Sequence, residues 1–212
     1  HVKKLILGSL FLMLGLGVFA QAGTGYFDIL VGGQFSTGNY QYSNYFVYNN
    51  ALYQWRVNGS GRNNFLGSLD GGYFFTENIG LHFAYLYDAG KFQANFHAGS
   101  LYAGSYNFNK DINIGEIGPE FAWKGGGNSQ SFLQLNVGYT FGNSTPNVNT
   151  VYGSMPLGNF GKQTFVYGAA LGYRYYFSQM TGMTIQTAYH HFQDYAISDI
   201  WDVRVGVSFR FK

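Results

Sequence analysis

Two adjacent histidines, His190 and His191, are the residues of this chain best placed for chemistry, with Asp194 and Ser198 a few positions on. An imidazole can take the proton of a serine hydroxyl and make it a nucleophile for ester cleavage, provided the two groups are within hydrogen-bond reach. In an extended chain, the residue two positions on shares the face of the histidine. Those positions hold Phe192 and Gln193, and Ser198 lies too far along for that arrangement. No catalytic residue is assigned. Cysteine is absent, which removes thiol catalysis, disulfides and thiolate metal sites together. His82 and His97 stand alone, so no metal site is predicted from histidine. Asp88, Asp111, Asp194 and Asp199 could gather at one rim around a divalent cation, a reading that rests on their positions near segment ends. No glycine-rich phosphate loop follows a strand and opens a helix, and no cofactor is predicted.

A larger ionisable set has a different pattern. Asp28, Asp70, His82, Glu116, Glu120, Arg174, Asp202, Arg204 and Arg210 all lie in stretches where apolar and polar residues alternate. A period of two marks β-strands with chemically distinct faces. Eight such segments are predicted, near 26–35, 67–76, 79–88, 112–124, 133–141, 165–177, 183–191 and 201–211. The last is the clearest: Trp201, Val203, Val205, Val207, Phe209 and Phe211 alternate with Asp202, Arg204, Gly206, Ser208 and Arg210. In the fourth segment, Ile112 and Ile114 have the phase of the polar residues, and a bulge near Gly115 is expected to explain them. Long connections (about 36–65, 89–111 and 143–164) alternate with short ones at Glu77-Asn78, Gly125–Asn128 and Ser178–Gly182.

Composition decides which face is inside. Only 10% of the 212 residues are charged and 20% are aromatic, with 31 glycines and 3 prolines. Soluble domains are about a quarter charged. Yet the mean hydropathy is −0.09, too polar for a bundle of membrane helices. Strands alternating a lipid-facing with a lumen-facing residue produce both values. The expected fold is therefore all-β, an eight-stranded antiparallel transmembrane β-barrel with short periplasmic turns and long extracellular loops. Lys3 and Lys4, the apolar run to Ala20 and the Ala20-Gln21-Ala22 end read as a secretory signal peptide over 1–22, with the barrel over 23–212. Without Lys3 and Lys4, the 12 basic and 10 acidic residues become ten against ten. No basic field is left to favour nucleic acid.

The motifs Gly72-Tyr73-Phe74-Phe75-Thr76-Glu77-Asn78-Ile79-Gly80-Leu81 and Ile117-Gly118-Pro119-Glu120-Phe121, with the alternating end through Phe209 and Phe211, carry a resemblance. Across nearly all of the expected mature chain, the sequence resembles the small outer-membrane barrels of the OmpA transmembrane-domain and OmpX type. That resemblance implies an outer-membrane location, lipid and lipopolysaccharide as surroundings, and recognition of a terminal aromatic residue by the barrel-insertion machinery. Here Lys212 follows Phe211, displacing the pattern by one residue. Some barrels of eight strands are lipid A deacylases with a His and a Ser two residues apart, a spacing His190 and His191 do not match.

The ionisable set is then expected to line the lumen as a packed network of ion pairs. The first long connection carries Tyr40, Tyr42, Tyr45, Tyr48, Tyr53 and Trp55 among Asn, Gln and Ser. Aromatic rings amid small polar residues suit recognition, because they contribute contact area at low entropic cost. The expected function is non-enzymatic, structural or adhesive through these aromatic loops. The alternatives are a narrow channel for ions or small solutes and a lipid-modifying enzyme.

Overall fold

Pairing divides the strands into a closed wall and two outer hairpins. The computed structural model describes residues 22–36, 39–48, 51–61, 64–98, 101–125, 128–141, 147–150, 153–156, 163–193 and 199–211. Twelve strands are present among them: β1 (Gly25–Ser36), β2 (Asn39–Tyr48), β3 (Ala51–Gly61), β4 (Asn64–Phe74), β5 (Ile79–Ala98), β6 (Leu101–Gly125), β7 (Ser129–Phe141), β8 (Asn147–Thr150), β9 (Gly153–Pro156), β10 (Phe165–Tyr176), β11 (Thr181–Phe192) and β12 (Asp199–Phe211). Eight of them, β1, β4, β5, β6, β7, β10, β11 and β12, pair antiparallel in that order, and β12 closes onto β1. The expected eight-stranded barrel is the observed one. The expected signal segment lies outside the described residues, apart from Ala22.

The wall is inside-out relative to a soluble protein. Along β12, Trp201, Val203, Val205, Val207, Phe209 and Phe211 are 40–51% exposed, whereas Asp202 and Arg204 are 1% exposed and Ser208 is 0%. Water would favour the reverse. Hydrocarbon favours this arrangement, because the closed ring satisfies its own backbone groups. Stepping from Tyr26 by partners leads through Gly72, His82 and Gly118, across to Asn136 by the register of the flanking pairs, and on through Gly168, His190 and Ile200 back to β1 at Ser36, ten residues on. Ten residues of rise over eight strand spacings tilt the strands by about 40° and set a wall radius of about 8 Å.

Two short turns use the same device. Thr76 Oγ1 accepts from the Asn78 and Ile79 amides at 3.3 and 3.0 Å. Ser178 Oγ accepts from Met180 and Thr181 at 3.2 and 2.9 Å.

The outer side departs from the sequence reading in two respects. The connection expected over 89–111 is strand instead: β5 and β6 continue past the barrel and pair with each other up to Ala98 and Leu101. The cause is visible in the sequence, since Phe92, Ala94 and Phe96 alternate with Lys91, Gln93, Asn95 and His97. The 36–65 connection likewise holds β2 and β3, which pair with each other, and β3 joins the outer part of β5. An outer sheet ordered β2-β3-β5-β6 thus rises from one side of the wall. The β8–β9 hairpin is separate.

The expected bulge near Gly115 is not there. The β5–β6 register runs unbroken from Ile79↔Phe121 to Phe96↔Gly104 and shifts only between Phe96 and His97. Ile112 and Ile114 share the phase of Glu116 because they too face the lumen, 0% and 3% exposed. With Leu66, Leu86, Val166, Phe192 and Ile200, they make an apolar tier across the outer end.

A second irregularity lies at Gly118-Pro119, where the β6–β7 ladder is interrupted between Ile117↔Val137 and Glu120↔Gln134. Proline has no amide hydrogen to donate there. A Cβ on Gly118 would stand 1.7 Å from the Leu135 carbonyl oxygen, so only glycine permits this approach. Gly118→Ala is expected to lower barrel stability by about 1–3 kcal/mol, as overpacking does, read as the urea midpoint of the folded band in detergent. The wild-type chain is expected to reach that heat-modifiable, strand-rich state only with detergent or lipid, checked by boiled and unboiled mobility together with circular dichroism.

Candidate functional site: the ionic lumen and the outer sheet

The inward positions of the wall form stacked tiers. Nearest the short turns, Tyr26, Phe74, Ala122 and Phe132 make an apolar floor. Above it sits Arg174, wholly buried. Its Nε donates to Asp28 Oδ2 at 3.0 Å and its Nη1 to Glu120 Oε1 at 2.6 Å. The guanidinium lies between two rings, 3.6 Å from the Tyr26 centroid and 3.9 Å from that of Phe132. Desolvated contacts of this kind contribute about 2 kcal/mol. Tyr26 donates its hydroxyl to Glu120, and Gln134 Nε2 donates to the same carboxylate at 2.8 Å.

The next tier is built on Arg204. Its Nε donates to Asp202 Oδ1 at 2.9 Å and its Nη1 to Ser68 Oγ at 2.8 Å, with Asp70 Oδ2 3.5 Å away. Gln186 Nε2 reaches across the lumen to Asp70 Oδ2 at 3.0 Å. His190 joins this tier. Its Nδ1 is 2.7 Å from Glu116 Oε1 and its Nε2 is 2.8 Å from Asp202 Oδ2. Two ionised carboxylates offer acceptors only, so both ring nitrogens donate and the ring is an imidazolium. Asn136 Nδ2 completes Glu116 at 2.8 Å. Toward the outer end, Gln34 Nε2 donates to Asp88 Oδ2 at 2.8 Å.

The sequence-predicted lumen residues therefore divide. Asp28, Glu120 and Arg174 meet in one tier; Asp70, Glu116, Asp202 and Arg204 meet in the other; His82 lies between them, fully buried. Arg210 stands apart at the periplasmic mouth, half-buried over the Tyr176 ring at 4.3 Å, with its Nε on the Gln179 carbonyl. The mouth cavity between Tyr26, Tyr176, Lys124 and Arg210 is about 30 Å³, room for about two waters. Sequence reasoning missed Tyr26, Gln134, Asn136, Gln186 and His190 as members of the network. Their phase was the available signal: Tyr26 shares the parity of Asp28 on β1, and the other four alternate with the outward apolar residues of β7 and β11, such as Leu135, Val137, Ile185 and Tyr189.

Adjacent on β11, the two histidines face opposite sides. His190 has no ring nitrogen left to activate a hydroxyl. His191 faces outward near the rim, with Nδ1 2.9 Å from Asp199 Oδ1 and its ring 4.8 Å from that of Tyr167. Tyr189 donates to the same Asp199. Asp194 and Ser198 lie outside the described residues. Among the described residues no group of three His, Asp or Glu side chains is arranged to hold a metal ion: Asp88 faces the lumen and Asp199 the rim. For Tyr40, Tyr42, Tyr45, Tyr48, Tyr53 and Trp55, the backbone is placed in β2 and β3, while their side chains lie outside what is described.

No family model matches the sequence, and no curated protein matches it. Solved structures do. The outer membrane protein OprG from Pseudomonas aeruginosa superposes with a TM-score of 0.59 at 12% identity, over 91% of this chain and 98% of that one. The chain has the fold of a small outer-membrane β-barrel. Two more distant likenesses are Ail, the attachment invasion locus protein of Yersinia pestis (TM-score 0.49, 10% identity, 90% of this chain and 100% of that one), and the N-terminal barrel domain of Pseudomonas aeruginosa OprF (0.47, 15%, 90% and 98%). An outer membrane is the setting that both this fold and its apolar exterior require.

Removing one partner from a buried ion pair leaves the other charge uncompensated and costs about 3–5 kcal/mol, whereas replacing the whole set with neutral residues is far milder. Arg174→Met is expected to lower the unfolding free energy by that amount. Adding Asp28→Asn and Glu120→Gln to Arg174→Met should recover most of the loss, as read from urea titrations of the refolded barrel.

Proposed function

We propose that this barrel is a non-enzymatic outer-membrane protein that makes surface contacts through its outer sheet. The observation that carries this reading is the contrast between its two ends. The lumen is filled by the two ionic tiers and capped by an apolar one, so the wall encloses packed side chains. Meanwhile, β5 and β6 run on beyond it and gather β2 and β3 into a sheet. An eight-stranded ring has room inside for little more than its own side chains, which weighs against transport as the main task. The aromatic-rich sequence of β2 and β3 suits recognition by broad, rigid contact. The same reading surrounds the wall with lipid and lipopolysaccharide. It also makes the exposed Phe209 and Phe211 the end presented to the barrel-insertion machinery.

The reading has three tests. In planar bilayers the refolded chain is expected to be electrically silent. Steady openings whose amplitude changes in Glu120→Gln or Arg174→Met would replace it with a channel. Replacing residues 39–61 by a short Gly-Ser link is expected to leave the heat-modifiable barrel intact and abolish adhesion of chain-bearing vesicles to protein-coated surfaces; unchanged adhesion would sink the contact role. Fatty acid released from lipopolysaccharide by the wild-type chain but not by His191→Ala would make the protein an enzyme instead.

A further inference from the structure

Between the Arg174 and Arg204 tiers, the lumen holds polar atoms that the protein does not satisfy. Asp28 and Asp70 are direct cross-strand partners on β1 and β4, and both are buried. Each gives one carboxylate oxygen to an arginine. The other oxygen of each, Oδ1, has no hydrogen-bond partner among the described residues. The same holds for Gln186 Oε1 and Thr184 Oγ1, two inward positions in sequence on β11, both almost fully buried. Gln186 is itself bonded to Asp70 through its amide nitrogen, which ties the β11 oxygens to the carboxylate pair. His82 faces Asp70, Glu116 and Glu120 from β5, and its ring meets the Gly118 backbone. Buried polar groups are rarely left without a partner, so this cluster calls for something to fill it.

Charge says what that is. Across the two tiers, five carboxylates (Asp28, Asp70, Glu116, Glu120 and Asp202) face three cations (Arg174, Arg204 and His190). The surplus is negative, and the unsatisfied atoms nearest it are mostly oxygens. Oxygen ligands select hard cations. Two Oδ1 oxygens whose carboxylates are each already paired with an arginine through Oδ2, an amide oxygen and a hydroxyl make a weak field, too weakly charged to strip a divalent ion of its water. We propose that the middle of the lumen is a binding site for one small monovalent cation of the alkali type, held by Asp28, Asp70, Thr184 and Gln186.

The test uses the full chain refolded in detergent, comparing the temperature at which the folded band is lost in sodium, potassium and N-methylglucamine chlorides at equal ionic strength. Sodium or potassium is expected to raise that temperature saturably, where the bulky organic cation does not. Asp70→Asn should abolish the difference. Thr184→Val keeps every charge and serves if Asp70→Asn fails to fold; it should weaken the apparent alkali affinity roughly fivefold, the loss of one neutral ligand. Equal temperatures in all three chlorides would overturn the site and leave internal water as the partner of these oxygens. A temperature that rises only on acidification, or only with calcium chloride, would overturn it in favour of a proton or a divalent ion.

Discussion

Hydrocarbon offers no hydrogen bonds, and the seam between β1 and β12 is where this chain meets that constraint. Twelve consecutive partners, from Gly25↔Phe211 to Ser36↔Ile200, join its first and last wall strands. An open edge inside a bilayer would leave a row of amides and carbonyls without partners, each at several kcal/mol. Closure in turn fixes the radius, and the radius fixes what the lumen can hold. At about 8 Å from axis to wall, the inward side chains meet across the middle, as Gln186 meets Asp70 and Arg174 meets Asp28.

A lumen of that width must neutralise its own charges, because bulk water is excluded from it. The arginines are therefore placed centrally and shared: Arg174 binds carboxylates from β1 and β6, and Arg204 reaches from β12 to β4. His190 ties β11 to β6 and β12 through its two nitrogens. Apart from the His190–Asp202 contact between neighbours, these contacts join strands two or three places apart in the ring. They also fix register, since a slip of one residue would turn every charge toward lipid.

The wall was legible in the sequence because alternation is a strong signal when both faces are chemically pure. β12 is the extreme case. Legibility faded where one face changes character partway along. Ile112 and Ile114 sit on the lumen face of β6, yet they read as out of phase because the lumen turns from ionic to apolar at that height. The outer run of β5 was passed over for a related reason: Lys91, Gln93 and Asn95 look like loop chemistry although their alternation with Phe92, Ala94 and Phe96 continues. Which charges meet was not legible at all. Contacts such as Arg174 with Asp28 span the ring and depend on its ten-residue stagger, a quantity set by all eight pairings together.

The continuity of β5 and β6 has a mechanical consequence. A flexible loop would absorb a pull on its tip by uncoiling. Here a twenty-residue strand and its twenty-five-residue neighbour pass from the outer sheet into the wall as single ladders. Load applied outside runs along their axes and acts as shear on many hydrogen bonds at once, instead of opening them one by one. The barrel then serves as the footing of a stiff lever, and tension at the cell surface would be borne by the membrane-embedded ring.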